Sequence, residues 1–132
     1  MLYFDTSAVV KLVRPERESG QLVEWLNEQT APWVTSVITE VELVRALRRS
    51  DPHLPPAVSA VTARLARYDI DETVRATASS YADPLLRTLD AIHLATADAI
   101  FRPHLTAFLV YDVRLGEAAA DLGLPVASPG RV

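Results

Sequence analysis

Two apolar stretches in this chain each end on an aspartate and pass at once into a helical pattern. That arrangement restricts the fold more than any other feature of the sequence. Leu2, Tyr3 and Phe4 lead to Asp5, after which Ala8, Val9, Leu12 and Val13 recur at helical spacing. Ala107 to Tyr111 lead to Asp112, and Leu115, Ala118, Ala119 and Leu122 follow at i, i+3, i+4 and i+7. A buried strand feeding directly into an amphipathic helix is the repeating unit of an open parallel sheet. The carboxyl ends of its strands are where such a sheet binds ligands. Two acids at two such ends are therefore expected to converge on one site.

The remaining chain agrees with an α/β reading. Helices are predicted over Ser7 to Arg14, stopped by Pro15, and over Ser19 to Gln29. Trp33 to Thr35 reads as a short strand, with Ser36 as N-cap of a helix reaching Arg49. A proline-rich loop covers Ser50 to Pro56, followed by a helix near Ala57 to Ala66, a strand at Tyr68 to Ile70 and a helix from Asp71 to Ala82. Thr88 is expected to cap a helix rich in alanine that runs to Ile100. Gly123 and Pro125 punctuate the last helix, and Pro125 to Ala127 form a final strand. The sum is a central, mostly parallel sheet of about five strands with helices on both faces, three layers in all.

At 132 residues, of which 49% are hydrophobic and 23% charged, the chain suits one domain spanning 1–132. It contains no cysteine, so disulfides and thiolate metal sites are excluded. With no basic leader and no apolar window long enough to span a bilayer, it reads as soluble and cytoplasmic, with no membrane partner. A net charge of −4 is unusual for a nucleic-acid protein, since phosphate binding relies on Lys and Arg. Of the 13 basic residues, however, all but Lys11 are arginine, the residue suited to forked phosphate recognition, although GC-rich coding explains that bias as well.

Four acids stand where elements begin or hand over: Asp5, Glu42, Asp90 and Asp112. Each has a duller explanation. Asp5 and Asp112 suit helix caps, Asp90 suits a first helical turn, and Glu42 suits an ion pair with Arg45. Glu40 lies about 160° around the helix from Glu42 and reads as surface. Asp98, about 12 Å along the helix from Asp90, reads likewise. His93, three residues beyond Asp90, invites a metal-ligand reading, but a hydrogen-bonded core histidine is the commoner outcome.

YFDTSAVVKL, TEVELVRAL, LDAIHLATA and VYDVRLGEAAADLGLPVASPG, taken in order, resemble the PIN-domain toxins of the VapC family. The resemblance covers the whole chain. It implies a PIN-like fold and an endoribonuclease dependent on Mg2+ or Mn2+, with Asp5, Glu42, Asp90 and Asp112 as its acids. It further implies a homodimer inhibited by a VapB-type antitoxin, and RNA as substrate. One departure stands out, for Val110 occupies a position where that family usually has Thr or Ser, a hydroxyl that would orient a metal-bound water or a carboxylate.

The chemistry is consistent with that family. Phosphodiester hydrolysis needs a deprotonated water and neutralisation of developing charge, both of which a divalent cation on oxygen ligands supplies. Mg2+ favours few carboxylates and several retained waters. Thr6 and Ser7, at a helix N-terminus, together with Arg87 and Arg114, are candidate contacts to substrate phosphate. A haloacid-dehalogenase-type phosphotransferase is disfavoured, because Ser7 stands where its second acid belongs and no late lysine is present. A phospho-acceptor receiver fails for similar reasons. A PIN-like module that binds a partner through an impaired site is the remaining alternative, and Val110 is the feature that favours it.

Overall fold

The computed structural model describes residues 1–131. Among them β1 spans Leu2–Phe4, α1 Thr6–Val13, α2 Ser19–Asn27, β2 Trp33–Ser36, α3 Ile38–Arg48, α4 Ala57–Arg64 and β3 Ala66–Tyr68. The chain continues through α5 Glu72–Ser80, α6 Thr88–Ala95, β4 Ala107–Leu109, α7 Val113–Asp121 and β5 Val126–Ala127. All strand pairings are parallel and the order is β3-β2-β1-β4-β5.

Side chains that alternate along the strands divide the core into two layers. Leu2, Phe4, Ala107 and Leu109 pack with Val9, Val13, Leu22 and Leu43 on one face. Tyr3, Phe108 and Val110 pack with Leu94, Leu115 and Ala119 on the other. The fully buried three-residue runs of β1 and β4 are what a sheet covered on both sides demands. The expected three-layer α/β architecture is therefore the observed one.

The strand order determines where a site can form. From β1 the chain moves outward through β2 to β3, then crosses back to place β4 on the opposite side of β1. The direction of winding reverses between β1 and β4, and a crevice opens at such a switch point beyond the carboxyl ends of the strands. Asp5 and Asp112 follow those two strands. The Asp5 amide donates to the Leu109 carbonyl at 2.9 Å, which ties the two ends together.

Several boundaries differ from the sequence reading. The third strand is Ala66–Tyr68 rather than Tyr68 to Ile70, because pairing of Val34 with Ala66 and Ser36 with Tyr68 fixes its register. Asp69 and Ile70 instead link to α5, whose N-cap Asp71 accepts from the Val74 amide at 2.9 Å. The helix predicted to run from Thr88 to Ile100 widens after Ala95 into a π turn over Thr96–Phe101. There the Thr96 hydroxyl donates back to the Ile92 carbonyl at 2.7 Å, a side-chain bond that perturbs the ordinary ladder. Ser36 and Thr88 do not occupy the cap positions assigned to them, which fall on Val37 and Arg87. Ser36 still accepts from the Ile38 amide at 3.2 Å. Gly123 adopts φ +80° just past α7, a left-handed backbone that its missing Cβ makes cheap. No helix among the described residues is long and apolar enough to cross a membrane.

Candidate active site

Asp5 is buried at the end of β1 and is itself the N-cap of α1. Its Oδ2 accepts from the Ser7 amide at 3.2 Å and from the Ser7 hydroxyl at 2.5 Å. Ser7 Oγ in turn accepts from the Tyr111 amide at 2.9 Å, so one hydroxyl joins the ends of β1 and β4. The dull explanation of Asp5 as a cap is thus correct in geometry, although the cap was expected to fall to Thr6 or Ser7. Asp112 repeats the arrangement at α7, its Oδ1 accepting from the Leu115 amide at 2.9 Å.

Glu42 does not pair with Arg45 as surface logic suggested. It turns inward from α3, and its Oε1 accepts from the Thr6 hydroxyl at 2.8 Å and from His93 Nε2 at 2.7 Å. Thr6 Oγ1 lies 3.1 Å from Thr39 Oγ1, which lies 2.8 Å from Thr35 Oγ1, and Thr35 donates to the Phe4 carbonyl at 2.7 Å. Thr6 and Thr35 both donate outward, so the single Thr39 proton joins only one of them at a time, and a row of hydroxyls lines the path from Glu42 to the sheet. Among the described residues, no buried side-chain polar atom lacks a partner.

His93 is fully buried and sits at the centre of this network. Its Nδ1 lies 2.7 Å from the Tyr3 hydroxyl, and its Nε2 lies 3.6 Å from Asp5 Oδ1. Burial pulls its pKa down, but the Glu42 hydrogen bond and the charges of Asp5, Glu42 and Asp90 outweigh burial and leave it raised. Burial likewise pushes Glu42 up, and the bond and charge of His93 carry it below the usual range. The two shifts run in opposite directions, as a hydrogen-bonded carboxylate–imidazole pair requires. Sequence reasoning had the available signal, a histidine one turn beyond Asp90, and its preferred outcome of a hydrogen-bonded core residue is the observed one. It gave no sign that Glu42 was the partner.

Asp90 lies half-buried in the first turn of α6. Burial raises its pKa, Arg87 opposes that, and the neighbouring charges of Asp5 and Asp112 add to it. Arg87 Nε stands 3.0 Å from Asp90 Oδ2 and Arg87 Nη2 stands 3.5 Å from Asp112 Oδ2. A cleft of about 240 Å3 opens beside this pair, lined by Leu85, Leu86, Arg87, Asp90, Arg114 and Glu117.

The four acids thus belong to one connected corner of the molecule. Among the described residues, however, no three His, Cys, Asp or Glu side chains are close enough to share an ion in this arrangement. The two hydroxyls expected to meet substrate do not face outward: Thr6 is buried against Glu42, and Ser7 is engaged by Asp5 and Tyr111. Arg87 and Arg114 are exposed at the mouth of the cleft. Glu40 is exposed and pairs with Arg67, as a surface residue should. Asp98 differs from expectation, being half-buried and held by the Tyr81 hydroxyl at 2.9 Å and Arg102 Nη2 at 2.6 Å. Val110 is fully enclosed in the core on the Tyr3 and Phe108 side, so a hydroxyl in its place would not open onto solvent.

A parallel sheet carrying acids at its switch point, supported from behind by a buried histidine and hydroxyls, defines a class of α/β proteins whose sites are built from oxygen donors. Comparison with known sequences narrows that class. The PIN domain family model matches residues 2–120. Ribonuclease VapC35 of Mycobacterium tuberculosis is 52% identical over 133 residues, covering 99% of this chain and 98% of that one. Ribonuclease VapC47 of the same species is 38% identical, covering 100% of this chain and 99% of that one. The chain belongs to the PIN-domain family and, within it, to the VapC ribonucleases. The crystal structure of M. tuberculosis VapC20, described as a Sarcin-Ricin loop cleaving toxin, superposes with a TM-score of 0.74 at 15% identity, covering 98% of this chain and 100% of that one. At that identity the likeness concerns the fold.

Proposed function

We propose that this protein is an endoribonuclease that hydrolyses RNA phosphodiester bonds with Mg2+ or Mn2+, and that it is the toxin of a VapBC-type pair. The observation that carries the reading is the arrangement of Asp5, Glu42, Asp90 and Asp112. They come from four separate stretches of chain and fall into two linked pairs, Asp5 with Glu42 through His93 and Asp90 with Asp112 through Arg87, in a chain 52% identical to a ribonuclease over nearly its full length. The donor set fits a hard divalent cation, being all oxygen and few in number. A guanidinium already stands between Asp90 and Asp112, which supports a corner suited to positive charge.

Asp5 and Asp90 would hold the ion, with Glu42 and Asp112 reaching it directly or through water. When bound, the cation would supply charge neutralisation and a bound water more acidic than bulk water. His93 and Thr6 keep Glu42 ionised and aimed, and the Ser7 hydroxyl fixes Asp5. Arg114, exposed on the first turn of α7, is placed to meet a substrate phosphate.

In this reading the protein acts in the cytoplasm as a homodimer and is held inactive by a VapB-type antitoxin. That antitoxin would set an Arg or Lys against the carboxylates while an apolar segment packs beside α3. The competing reading is a partner-binding module with an impaired site, favoured by the lack of three converging ligands among the described residues. Incubating purified protein with RNA, with Mg2+ and then with excess EDTA, separates the two. Cleavage with the metal and none in EDTA supports the nuclease, whereas no cleavage under any divalent cation supports the binding module.

A further inference from the structure

Arg87 is positioned contrary to the interest of its own helix. It occupies the N-cap of α6 with extended backbone and without a side-chain cap, where the positive end of the helix dipole disfavours a cation. Its side chain is 72% exposed, yet it folds back over Asp90 and reaches Asp112, a residue 25 positions away on another element. Hydrogen bonding to Asp90 and the charges of Asp90, Asp112 and Glu42 raise its pKa. So exposed an ion pair is weak, which makes the contact easy to exchange.

We infer that Arg87 is the resident counter-ion of the carboxylate corner. It neutralises Asp90 and Asp112 while no metal is bound, competes with the incoming divalent cation, and is released on metal binding to bind the substrate phosphate. This rests on the metal-nuclease reading above. In that role Arg87 is a positioning residue for the metal-free site and a contact only for RNA.

The test is Mn2+ affinity, read by electron paramagnetic resonance of free Mn2+ in titrations of the full chain as wild type, Arg87→Gln and Arg87→Lys, with the exposed Glu24→Gln as control. Loss of the competitor should tighten Mn2+ binding in Arg87→Gln by roughly 1.5- to fivefold, the range set by an exposed charge contact. Arg87→Lys should fall between, because an ammonium cannot fork across both carboxylates. The KM for RNA should rise in Arg87→Gln even as the metal binds more tightly, a split that a merely structural arginine would not produce. Equal or weaker Mn2+ affinity in both Arg87 variants, with wild type binding normally, overturns the inference and leaves the nuclease reading intact. Absence of Mn2+ binding by wild type removes both.

Discussion

Asp90 carries the sharpest consequence at the scale of single residues. Its carboxyl is raised by burial and by Asp5 and Asp112, so in the absence of metal its charge opposes folding. Asp90→Asn nearly preserves shape and removes that charge. We expect RNA cleavage to be lost while the melting temperature in EDTA stays equal or rises, measured beside Glu24→Gln. Asp98, read from sequence as surface, would not serve as a control because Tyr81 and Arg102 hold it. Val110 teaches a second lesson. Read from sequence, it was a missing hydroxyl whose restoration should speed catalysis. Enclosed as it is, Val110→Thr buries a polar atom instead, and should lower stability by about 1–3 kcal/mol without raising the cleavage rate. Calorimetry and a single-turnover assay on the same preparation decide this, and a faster enzyme would refute it.

The handover from strand to helix accounts both for what the sequence made legible and for what it concealed. β1, α1, β4 and α7 were readable because their apolar runs are dictated by burial on both sheet faces, a constraint that acts residue by residue. β3 was misplaced by two residues because an exposed edge strand has little apolar signal and takes its register from β2, whose paired residues lie 32 positions away in sequence. The π turn after α6 was invisible, since its helical apolar pattern continues through Ala97. The acids themselves were legible by position, whereas their partners were not. Nothing local to Glu42 announces His93 or Thr6, because those contacts arise only when α3 on one face of the sheet and α6 on the other reach the end of β1. Asp112 combines both roles, so its substitutions can be separated. Asp112→Asn retains a capping side chain, whereas Asp112→Ala should cost α7 about 1 kcal/mol, and both should impair cleavage. Urea denaturation of the two variants measures the difference, and equal midpoints would show that the cap contributes nothing.

At the scale of the whole molecule, the large apolar side chains are mostly covered: Leu47 is 2% exposed, and the Trp33 ring has the Arg64 guanidinium 3.9 Å and the Phe4 ring 4.9 Å from its centre. The exposed large apolar residues among those described are Leu85, which lines the cleft, Leu89, Val113, Val23, Val41 and Val126. Homodimerisation thus stands on family membership. We expect light scattering at micromolar concentration to report twice the 14.5 kDa of one chain, and a mass of one chain would count against it.

The parallel winding has one more effect. Residues 5, 42, 90 and 112 meet only after β4 has been laid against β1, across a gap of more than a hundred positions bridged by Leu2 with Ala107 and Phe4 with Leu109. In the reading proposed above, a chain that lacks this pairing has not assembled the site, so ribonuclease activity should vanish at the same urea concentration as the fold.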